Sequence, residues 1–185
     1  MRRLTVFNSV SADGYFTDAS GDMSWAHKSD PEFNDFTASN AKGGGTLLFG
    51  RVTYEMMAAF WPTPHAAKAF PDVAKGMNEL PKVVFSRTMK KAAWRNTELV
   101  KTDPAAAVKA MKKAAGPDMV IMGSGTIVAL LAETGLIDEY QLIVNPLVLG
   151  SGRTLFEGVS KRLPLKLVNE RRFKNGNILV CYQPA

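Results

Sequence analysis

Cysteine and histidine are scarce in this chain, and their scarcity narrows the chemistry open to it. Cys181 is the only cysteine among 185 residues, so no internal disulfide can form. Together with His27 and His65, the only histidines, it cannot supply the usual tetrahedral ligands of a zinc site. The signature of the zinc-dependent nucleobase deaminases is missing for the same reason. We therefore expect a protein without a bound metal.

Long apolar runs are also missing, and a membrane-spanning helix would need one. No stretch approaches about 18 uninterrupted apolar residues. The first residues, Met-Arg-Arg-Leu, mimic the charged start of a signal peptide, but the next stretch contains Asn8, Ser9, Ser11 and Asp13 and is too polar for its apolar core, and no small-residue cleavage site follows. We therefore expect no membrane partner and a cytoplasmic protein.

Basic residues outnumber acidic ones, 23 to 17, which gives a net charge of +6. This excess favours anionic partners such as phosphorylated cofactors. The basic residues do not form a stripe, because the densest groups are only the pairs at 90–91, 112–113 and 171–172. A nucleic-acid-binding protein would favour a stripe or a motif with interleaved aromatic residues, so we expect no nucleic-acid partner.

Strand patterns alternate with helix patterns over about two thirds of the chain, and then the helices stop. The length suits a single domain over residues 1–185, and the composition, with 46% hydrophobic and 22% charged residues, is typical of globular proteins. Strands are predicted at 4–11, 46–49, 82–86, 97–101, 119–122 and 140–144, and helices at 31–40, 52–60, 72–80, from 103–104 to 116–117, and at 126–134. Asn175-Gly176 predicts a closing hairpin of strands 163–173 and 177–183. The order favours an α/β fold with a mostly parallel sheet and an antiparallel hairpin at one edge.

Two strand-to-helix turns have residues typical of an anion site. Gly123, Ser124, Gly125 and Thr126 join an apolar strand to an apolar helix, where small residues let a phosphate approach the backbone. The third glycine of the Rossmann fingerprint is missing, so a purely structural tight turn is the alternative. Gly50, Arg51 and Thr53 form the second turn, for which an ordinary helix start is the alternative. Two such turns in one α/β domain suit a dinucleotide.

The loop after the strand at 82–86 contains Ser86 and Arg87. Carboxyl ends of parallel strands share one edge of a sheet, so this loop should open beside the two turns. Arg87 is then a candidate contact for a ribose phosphate, and an ordinary polar loop is the alternative.

Four aspartates in or near the first loop are candidate acids: Asp13, Asp18, Asp22 and Asp30. Surface solvation accounts for most loop aspartates. Asp30 precedes Pro31 and a helical pattern, so the simplest interpretation is a helix N-cap. A carboxyl at the mouth of an apolar pocket near Trp25 and Phe33 could instead pair with a protonated heterocycle and have a raised pKa. No hydrolase or NTPase motif is present.

Taken together, these residues resemble the dihydrofolate reductase-like superfamily, and within it the reductase domain of bacterial riboflavin biosynthesis, the RibD C-terminal type. The similarity extends over nearly the whole chain. Its motifs lie at 11–14 (SADG), 48–55 (LFGRVTYE), 83–86 (VVFS), 120–125 (VIMGSG), 136–139 (LIDE) and 146–152 (PLVLGSG).

The resemblance implies a three-layer α/β/α fold with a central sheet of about eight strands, and NADPH along the carboxyl edge of the strands. The residues it implies for the cofactor are Ala12 near the nicotinamide, Gly50, Arg51 and Thr53 at the phosphates, Ser86 and Arg87 at the adenosine 2′-phosphate, and Gly123, Ser124, Gly125, Thr126 and Ile127 at the pyrophosphate. It also implies a cis peptide at the bond matching Gly123-Ser124, which the serine leaves open.

For the substrate, the resemblance points to Asp30 as the catalytic acid and to Trp25, Phe33 and Asn145 as binding residues. Dihydrofolate reductases have a tryptophan five residues before their pterin-binding acid, and Trp25 and Asp30 keep this spacing. The implied function is an NADPH-dependent reductase of a pyrimidine- or pterin-like substrate. The first choice is the 5-amino-6-(5-phosphoribosylamino)uracil reductase reaction of riboflavin synthesis.

Two alternatives to that reaction stay open: dihydrofolate reduction, and a nucleotide-binding or dimeric scaffold without turnover. The apolar run at 140–149 and the strands expected at a sheet edge, together with the resemblance, predict a homodimer.

Overall fold

The computed structural model describes residues 1–26 and 30–185, with only the backbone of residues 41 and 42. His27, considered above as a zinc ligand, lies outside the described residues. The ten strands are β1 (Leu4–Ser11), β2 (Tyr15–Thr17), β3 (Thr46–Gly50), β4 (Lys82–Phe85), β5 (Thr97–Val100), β6 (Met119–Met122), β7 (Glu139–Asn145), β8 (Arg153–Thr154), β9 (Leu165–Arg172) and β10 (Ile178–Pro184). The α-helices of the described residues are α1 (Pro31–Lys42), α2 (Arg51–Phe60), α3 (Pro64–Ala69), α4 (Pro71–Glu79), α5 (Pro104–Lys113) and α6 (Gly125–Glu133).

Eight of these strands form one sheet in the order β5-β4-β3-β6-β1-β7-β10-β9. The first six are mutually parallel, and β10 pairs antiparallel with both β7 and β9. The predicted α/β fold with its mostly parallel sheet and closing antiparallel hairpin is therefore confirmed. The hairpin lies at one edge of the sheet, as predicted.

Helices cover both faces of the sheet, because the strands present apolar side chains on both faces. Leu48 packs in one core with side chains of α5 and α6, whereas its neighbours Leu47 and Phe49 pack in another with side chains of α2 and α4. A third, smaller core lies under α1, where Ile143 and Leu179 meet the rings of that helix. The three-layer arrangement follows from these opposed cores.

Helix starts agree with local sequence signals. The Asp30 carboxylate accepts a hydrogen bond from the N–H of Phe33 at 2.9 Å, so the N-cap interpretation is confirmed. Asp103 caps α5 in the same way, accepting from the N–H of Ala106.

Two features differ from the sequence-based expectations. A two-stranded sheet of β2 and β8 forms where no strand was predicted, and α3 lies between the helices predicted at 52–60 and 72–80. The apolar run at 140–149 begins in β7, which pairs with β1 on one side and with β10 on the other. Within this run Tyr140 and Ile143 are buried, whereas Val148, beyond the strand, is 72% exposed.

The peptide bonds of the described residues are all trans, including the bond between Gly123 and Ser124. No helix in the described part of the chain is long and apolar enough to cross a membrane.

Candidate functional site

The carboxyl ends of the parallel strands bring the predicted anion turns to one edge of the sheet. β3 lies between β4 and β6, so the turns that follow these three strands are neighbours. The turn after β1 joins them, because β1 lies beside β6. Ala12, Gly50, Ser86 and Gly123 thus begin four loops along a single edge, the usual position of ligands in open α/β sheets.

The turns before α2 and α6 are joined directly by a hydrogen bond. The N–H of Gly50 donates to the hydroxyl of Ser124 at 2.8 Å. Gly123 and Ser124 both have left-handed backbone, with φ angles of 60° and 62°. A Cβ on Gly123 would lie 3.1 Å from Cγ2 of Thr53, so the Thr53 side chain packs close to the glycine backbone of the other turn. The structure therefore brings Gly50, Thr53, Gly123 and Ser124 into one group.

Both of these helices begin without a side-chain cap. Helices α1 and α5 have aspartate caps, whereas neither Gly50 before α2 nor Ser124 before α6 makes a capping hydrogen bond. The first N–H groups of a helix have no partner within it, and the helix dipole makes this end favourable for negative charge. Two adjacent uncapped helix starts suit an anion with two separated phosphates.

Packing of the Phe16 ring, which the sequence did not indicate, requires a glycine at position 125. A Cβ at this position would lie 2.6 Å from Cε1 of Phe16, a buried ring that packs over the start of α6. Ile127 is also buried, and its N–H donates to the carbonyl of Ser124 at 2.9 Å. Only Thr126 of this first turn is exposed.

Arg153, which no sequence motif marked, reaches the start of α6 from β8. Its Nη2 lies 3.4 Å from Oγ1 of Thr126, and its guanidinium lies 5.7 Å from the centre of the Phe16 ring. Its Nε is 3.5 Å from a carboxylate oxygen of Glu157. The only sequence signal was the position of Arg153 after a glycine-rich turn, which does not predict where the side chain goes.

The two predicted arginines are exposed on this edge. Arg51 donates to the carboxylate of Glu55 at 2.8 Å, one helical turn along α2. Arg87 follows Ser86, whose hydroxyl accepts from the N–H groups of Thr88 and Met89 and so shapes a turn. Within the described part of the chain, Arg87 makes no ion pair.

Ala12 lies at the exposed end of β1, where a backbone hydrogen bond joins it to the loop after β7. Its N–H donates to the carbonyl of Leu147 at 2.8 Å. Asp13 accepts from the Ser11 hydroxyl and from the N–H groups of Leu149 and Gly150. These hydrogen bonds, with that of Ser11 the strongest influence, hold the pKa of Asp13 below its usual value. Asp13 is therefore an ionised link between two loops.

The carboxylates of the other loop aspartates, Asp18 and Asp22, accept hydrogen bonds within their own turns. Asp18 accepts from the N–H and hydroxyl of Ser20 and from the N–H of Asp22. Asp22 accepts from the N–H and hydroxyl of Ser24. The pKa of each carboxyl is lowered, mainly by its hydroxyl partner. Among the described residues, no group of three or more His, Cys, Asp and Glu side chains could hold a metal ion.

The predicted substrate residues are only partly brought together. Asp30 is 5% exposed, and Phe33, in the first turn after it, packs edge-on against Phe173 at 5.1 Å. Asn145 is fully buried beside Ser11 and donates to the carbonyls of Val10 and Ile143, while its Oδ1 has no hydrogen-bond partner among the described residues. Trp25 lies in a short 3-10 helix (Ser24–Ala26) and donates to the carbonyl of Asp22.

Comparison with known proteins places this geometry in a family. The sequence model of the RibD C-terminal domain matches residues 2–179. An uncharacterized protein of Bacillus subtilis strain 168, YyaP, is 29% identical over 187 residues, covering 98% of this chain and 94% of that protein.

Two solved structures share the fold. A candidate riboflavin biosynthesis protein from Shewanella sp. PV-4 superposes with a TM-score of 0.77 at 22% identity, covering 99% of both chains. Dihydrofolate reductase from Enterococcus faecalis, solved with NADP(H) and RAB-propyl, gives a TM-score of 0.65 at 14% identity, covering 98% of this chain and 96% of that one. These superpositions confirm the dihydrofolate reductase-like fold.

Proposed function

This chain belongs to the RibD C-terminal domain family, and from that premise we propose that it is an NADPH-dependent reductase of a pyrimidine- or pterin-like substrate. The reaction we favour is of the 5-amino-6-(5-phosphoribosylamino)uracil reductase type, in riboflavin biosynthesis. The family supports a reductase role, and the Shewanella structure is described in terms of the same pathway.

One observation carries the proposal: the uncapped starts of α2 and α6 are joined at the carboxyl edge through Gly50 and Ser124, 2.8 Å apart. The residues fit a dinucleotide here, because Gly123 adopts the left-handed backbone of the turn and has no Cβ that would crowd Thr53. The first N–H groups of two neighbouring helices can donate hydrogen bonds to the two phosphates of a pyrophosphate.

The chain's own residues would bind and orient the reactants, since a bound nicotinamide cofactor supplies the hydride. Arg51 would exchange its Glu55 partner for a cofactor phosphate, an exchange that costs little because the ion pair is exposed. Arg87, exposed beside Ser86 and without an ion pair among the described residues, would contact the 2′-phosphate that distinguishes NADPH from NADH. Ala12 would lie beside the nicotinamide, and Phe33, Trp25 and Asn145 would line the substrate side.

A pterin substrate is the second candidate, favoured by one observation. Asp30 is a nearly buried carboxyl at the start of α1, at the spacing from Trp25 that dihydrofolate reductases use. One of its oxygens caps the helix, and a carboxylate can accept further hydrogen bonds. Asp30 would thus orient a pterin amide edge while it keeps its structural role.

A substrate panel tests the proposal. The full chain is mixed with NADPH and, in turn, with the phosphoribosylamino-pyrimidine, its dephosphorylated form, dihydrofolate and a dihydropterin, and the loss of NADPH absorbance is followed. We expect turnover with a pyrimidine and slower or no turnover with the pterins. Turnover with pterins alone would favour the second candidate.

The same substrate panel tests the alternative of a nucleotide-binding scaffold without turnover. NADPH binding without oxidation of any member of the panel would favour a nucleotide-binding protein without turnover. A wild-type chain that binds no NADPH would reject the proposed function.

A further inference from the structure

The first loop, residues 12–22, and the loop after β7, residues 146–152, are joined by backbone contacts at two places. Near the start of both loops, the N–H of Ala12 donates to the carbonyl of Leu147 at 2.8 Å. Further along, β2 in the first loop pairs antiparallel with β8, which directly follows the second loop. The two loops therefore lie side by side at the carboxyl edge of the sheet, where the paired strands β1 and β7 end.

Between these backbone contacts, the side chain of Asp13 makes a third connection. Its Oδ1 accepts from the N–H of Leu149 at 3.1 Å, and its Oδ2 accepts from the N–H of Gly150 at 2.8 Å. The Ser11 hydroxyl donates to Oδ1 at 2.6 Å and itself accepts from the N–H of Tyr15 at 2.9 Å. One side chain, with both carboxylate oxygens in use, therefore links the end of β1, the first loop and the loop after β7.

The charge and the exposure of Asp13 suit a residue that places the loops rather than one that stabilises the fold. Hydrogen bonds to an ionised acceptor are shorter and stronger than neutral ones, so the carboxylate holds the two N–H groups firmly in position. Asp13 is exposed and lies outside the buried cores, where water competes with such contacts, so we expect its contribution to the free energy of unfolding to be small. Loss of the carboxylate should therefore displace the loops and leave the fold intact.

The Asp13 connection lies at one end of the proposed cofactor site. Asp13 directly follows Ala12, which the proposed function places beside the nicotinamide. Phe16, later in the same loop, lies against Gly125 at the start of α6, where the phosphates would bind. Phe16 is held there by its burial in the core, without the help of Asp13. Loss of the Asp13 carboxylate should therefore disturb the nicotinamide end of the site and leave the phosphate end in place.

We propose that Asp13 is a positioning residue, whose carboxylate holds the first loop against the loop after β7 so that the joined loops enclose and orient the nicotinamide. This inference rests on the proposed function, since that function places the nicotinamide beside Ala12. Asp13 acts through the backbone of the loop that it holds and does not contact the reacting atoms. Hydride transfer needs the two reacting carbons in close and aligned contact, so a small displacement of the loop lowers the rate more than it weakens binding.

Asp13→Asn tests this role, because the amide keeps the size of the side chain and one acceptor oxygen but loses the charge and the second acceptor. NADPH is titrated into the full chain, Kd is measured by calorimetry, and the fluorescence of the bound dihydronicotinamide is recorded. We expect Kd to stay within about threefold of the wild-type value, because the phosphate contacts remain. The change in NADPH fluorescence on binding should be largely lost, and kcat with the pyrimidine substrate should fall about tenfold or more.

Asp18→Asn is the matched control, since it removes the same charge from the same loop. The Oδ1 of Asp18 accepts from Ser20 and Asp22 in its own turn, and asparagine retains this oxygen. The control should match the wild type in Kd, fluorescence and kcat. Unchanged fluorescence and kcat in Asp13→Asn would overturn the proposal, whatever its thermal midpoint. A higher Kd with unchanged kcat would also overturn it, because Asp13 would then act on cofactor affinity.

The fluorescence of bound NADPH separates this proposal from the proposed function, because it needs no substrate. If the wild-type protein alters this fluorescence but oxidises NADPH with no member of the substrate panel, the reductase function fails, and loss of the altered fluorescence in Asp13→Asn still supports the positioning role. If wild type and Asp13→Asn turn over a pyrimidine with the same kcat and fluorescence, the positioning role fails and the reductase function stands. Wild-type binding without any change in fluorescence would overturn the positioning role, since the loops would not enclose the nicotinamide. A wild-type chain that binds no NADPH would reject both.

Discussion

Gly152 lies so close to Thr17 that a Cβ atom on the glycine would fall 2.0 Å from the Thr17 carbonyl oxygen. Its φ angle of 139° is also one that residues with side chains rarely adopt. The close approach lets β8 pair with β2, and this pairing holds the first loop against the segment at 152–154. We therefore expect Gly152→Ala to separate the two strands.

The expected result for Gly152→Ala is a loss of about 2–4 kcal/mol in the free energy of unfolding, from steric overlap and backbone strain together. Urea denaturation measures this loss. Gly150→Ala is the control for backbone strain, because Gly150 also has positive φ but a Cβ there would meet nothing within 4 Å. Equal losses in the two variants would show that close packing on Thr17 contributes nothing.

Gly125→Ala should displace the Phe16 ring from the start of α6, since the new Cβ would lie 2.6 Å from it. Overpacking of a buried contact typically costs about 1–3 kcal/mol, so we expect a lower thermal midpoint together with weaker NADPH binding. The double variant Gly125→Ala/Phe16→Leu separates the two effects. It should recover stability, and NADPH binding should stay weak if the cofactor approaches this backbone. Full recovery of binding would make Gly125 important for packing alone.

Arg87→Ala and Arg51→Ala should each weaken NADPH binding by about 1.5–3 kcal/mol, the size of hydrogen bonds to charged groups. NADH binding should fall less, because NADH lacks the 2′-phosphate. Calorimetric titration of both cofactors measures the difference. Glu55→Gln should strengthen NADPH binding only slightly, since the ion pair that holds Arg51 at 2.8 Å is exposed and costs little to break. Equal losses for the two cofactors would place both arginines away from the 2′-phosphate.

Lys82 should make stability depend on pH in the alkaline range. Its side chain is 1% exposed, its Nζ donates to carbonyls at the end of α4, and it lies 4.5 Å from the centre of the Trp94 ring. Burial, with a smaller effect of the nearby Arg95 charge, lowers its pKa from 10.5 to about 8. Between these two values the unfolded chain binds more protons at this position than the folded chain.

The free energy of unfolding should therefore rise with pH from about 8 to 10.5, by up to about 3 kcal/mol from this residue. Urea denaturation at several pH values in this window measures the slope. In Lys82→Met the rise should disappear, and the comparison of the two proteins cancels the ionisation of tyrosines. Parallel pH profiles for wild type and variant would contradict the prediction.

The exposed position of β9 at the sheet edge favours self-association of the protein. All eight of its residues are exposed, including Leu167 and Val168 at 47% and 43%, and within the described residues only β10 pairs with it. An exposed edge with apolar side chains favours pairing with a second copy. We expect sedimentation at micromolar concentration to give a dimer, and Leu167→Lys/Val168→Lys to give a monomer. The mass of a single chain for the wild-type protein would reject the dimer.

The sequence by itself determined the elements whose signals are local. Asp30 before Pro31 predicted a capped helix, because the cap bonds an N–H only three residues away. Asn175-Gly176 predicted the final hairpin, because the turn requires a residue such as Gly176, with a φ angle of 87°. Apolar runs predicted the buried strands, and their alternation with helices predicted a parallel sheet whose carboxyl edge gathers Gly50, Ser86 and Gly123.

Only the tertiary structure decided which residues meet at that edge. The contact of Phe16 with Gly125 and that of Arg153 with Thr126 join segments far apart in the chain, and no local pattern encodes such distances. The short strands β2 and β8 have too few residues for a pattern and exist because Gly152 packs against Thr17. Asp13 likewise resembles a free loop acid in sequence, and becomes a link between two loops only because the fold brings the N–H groups of Leu149 and Gly150 to its carboxylate.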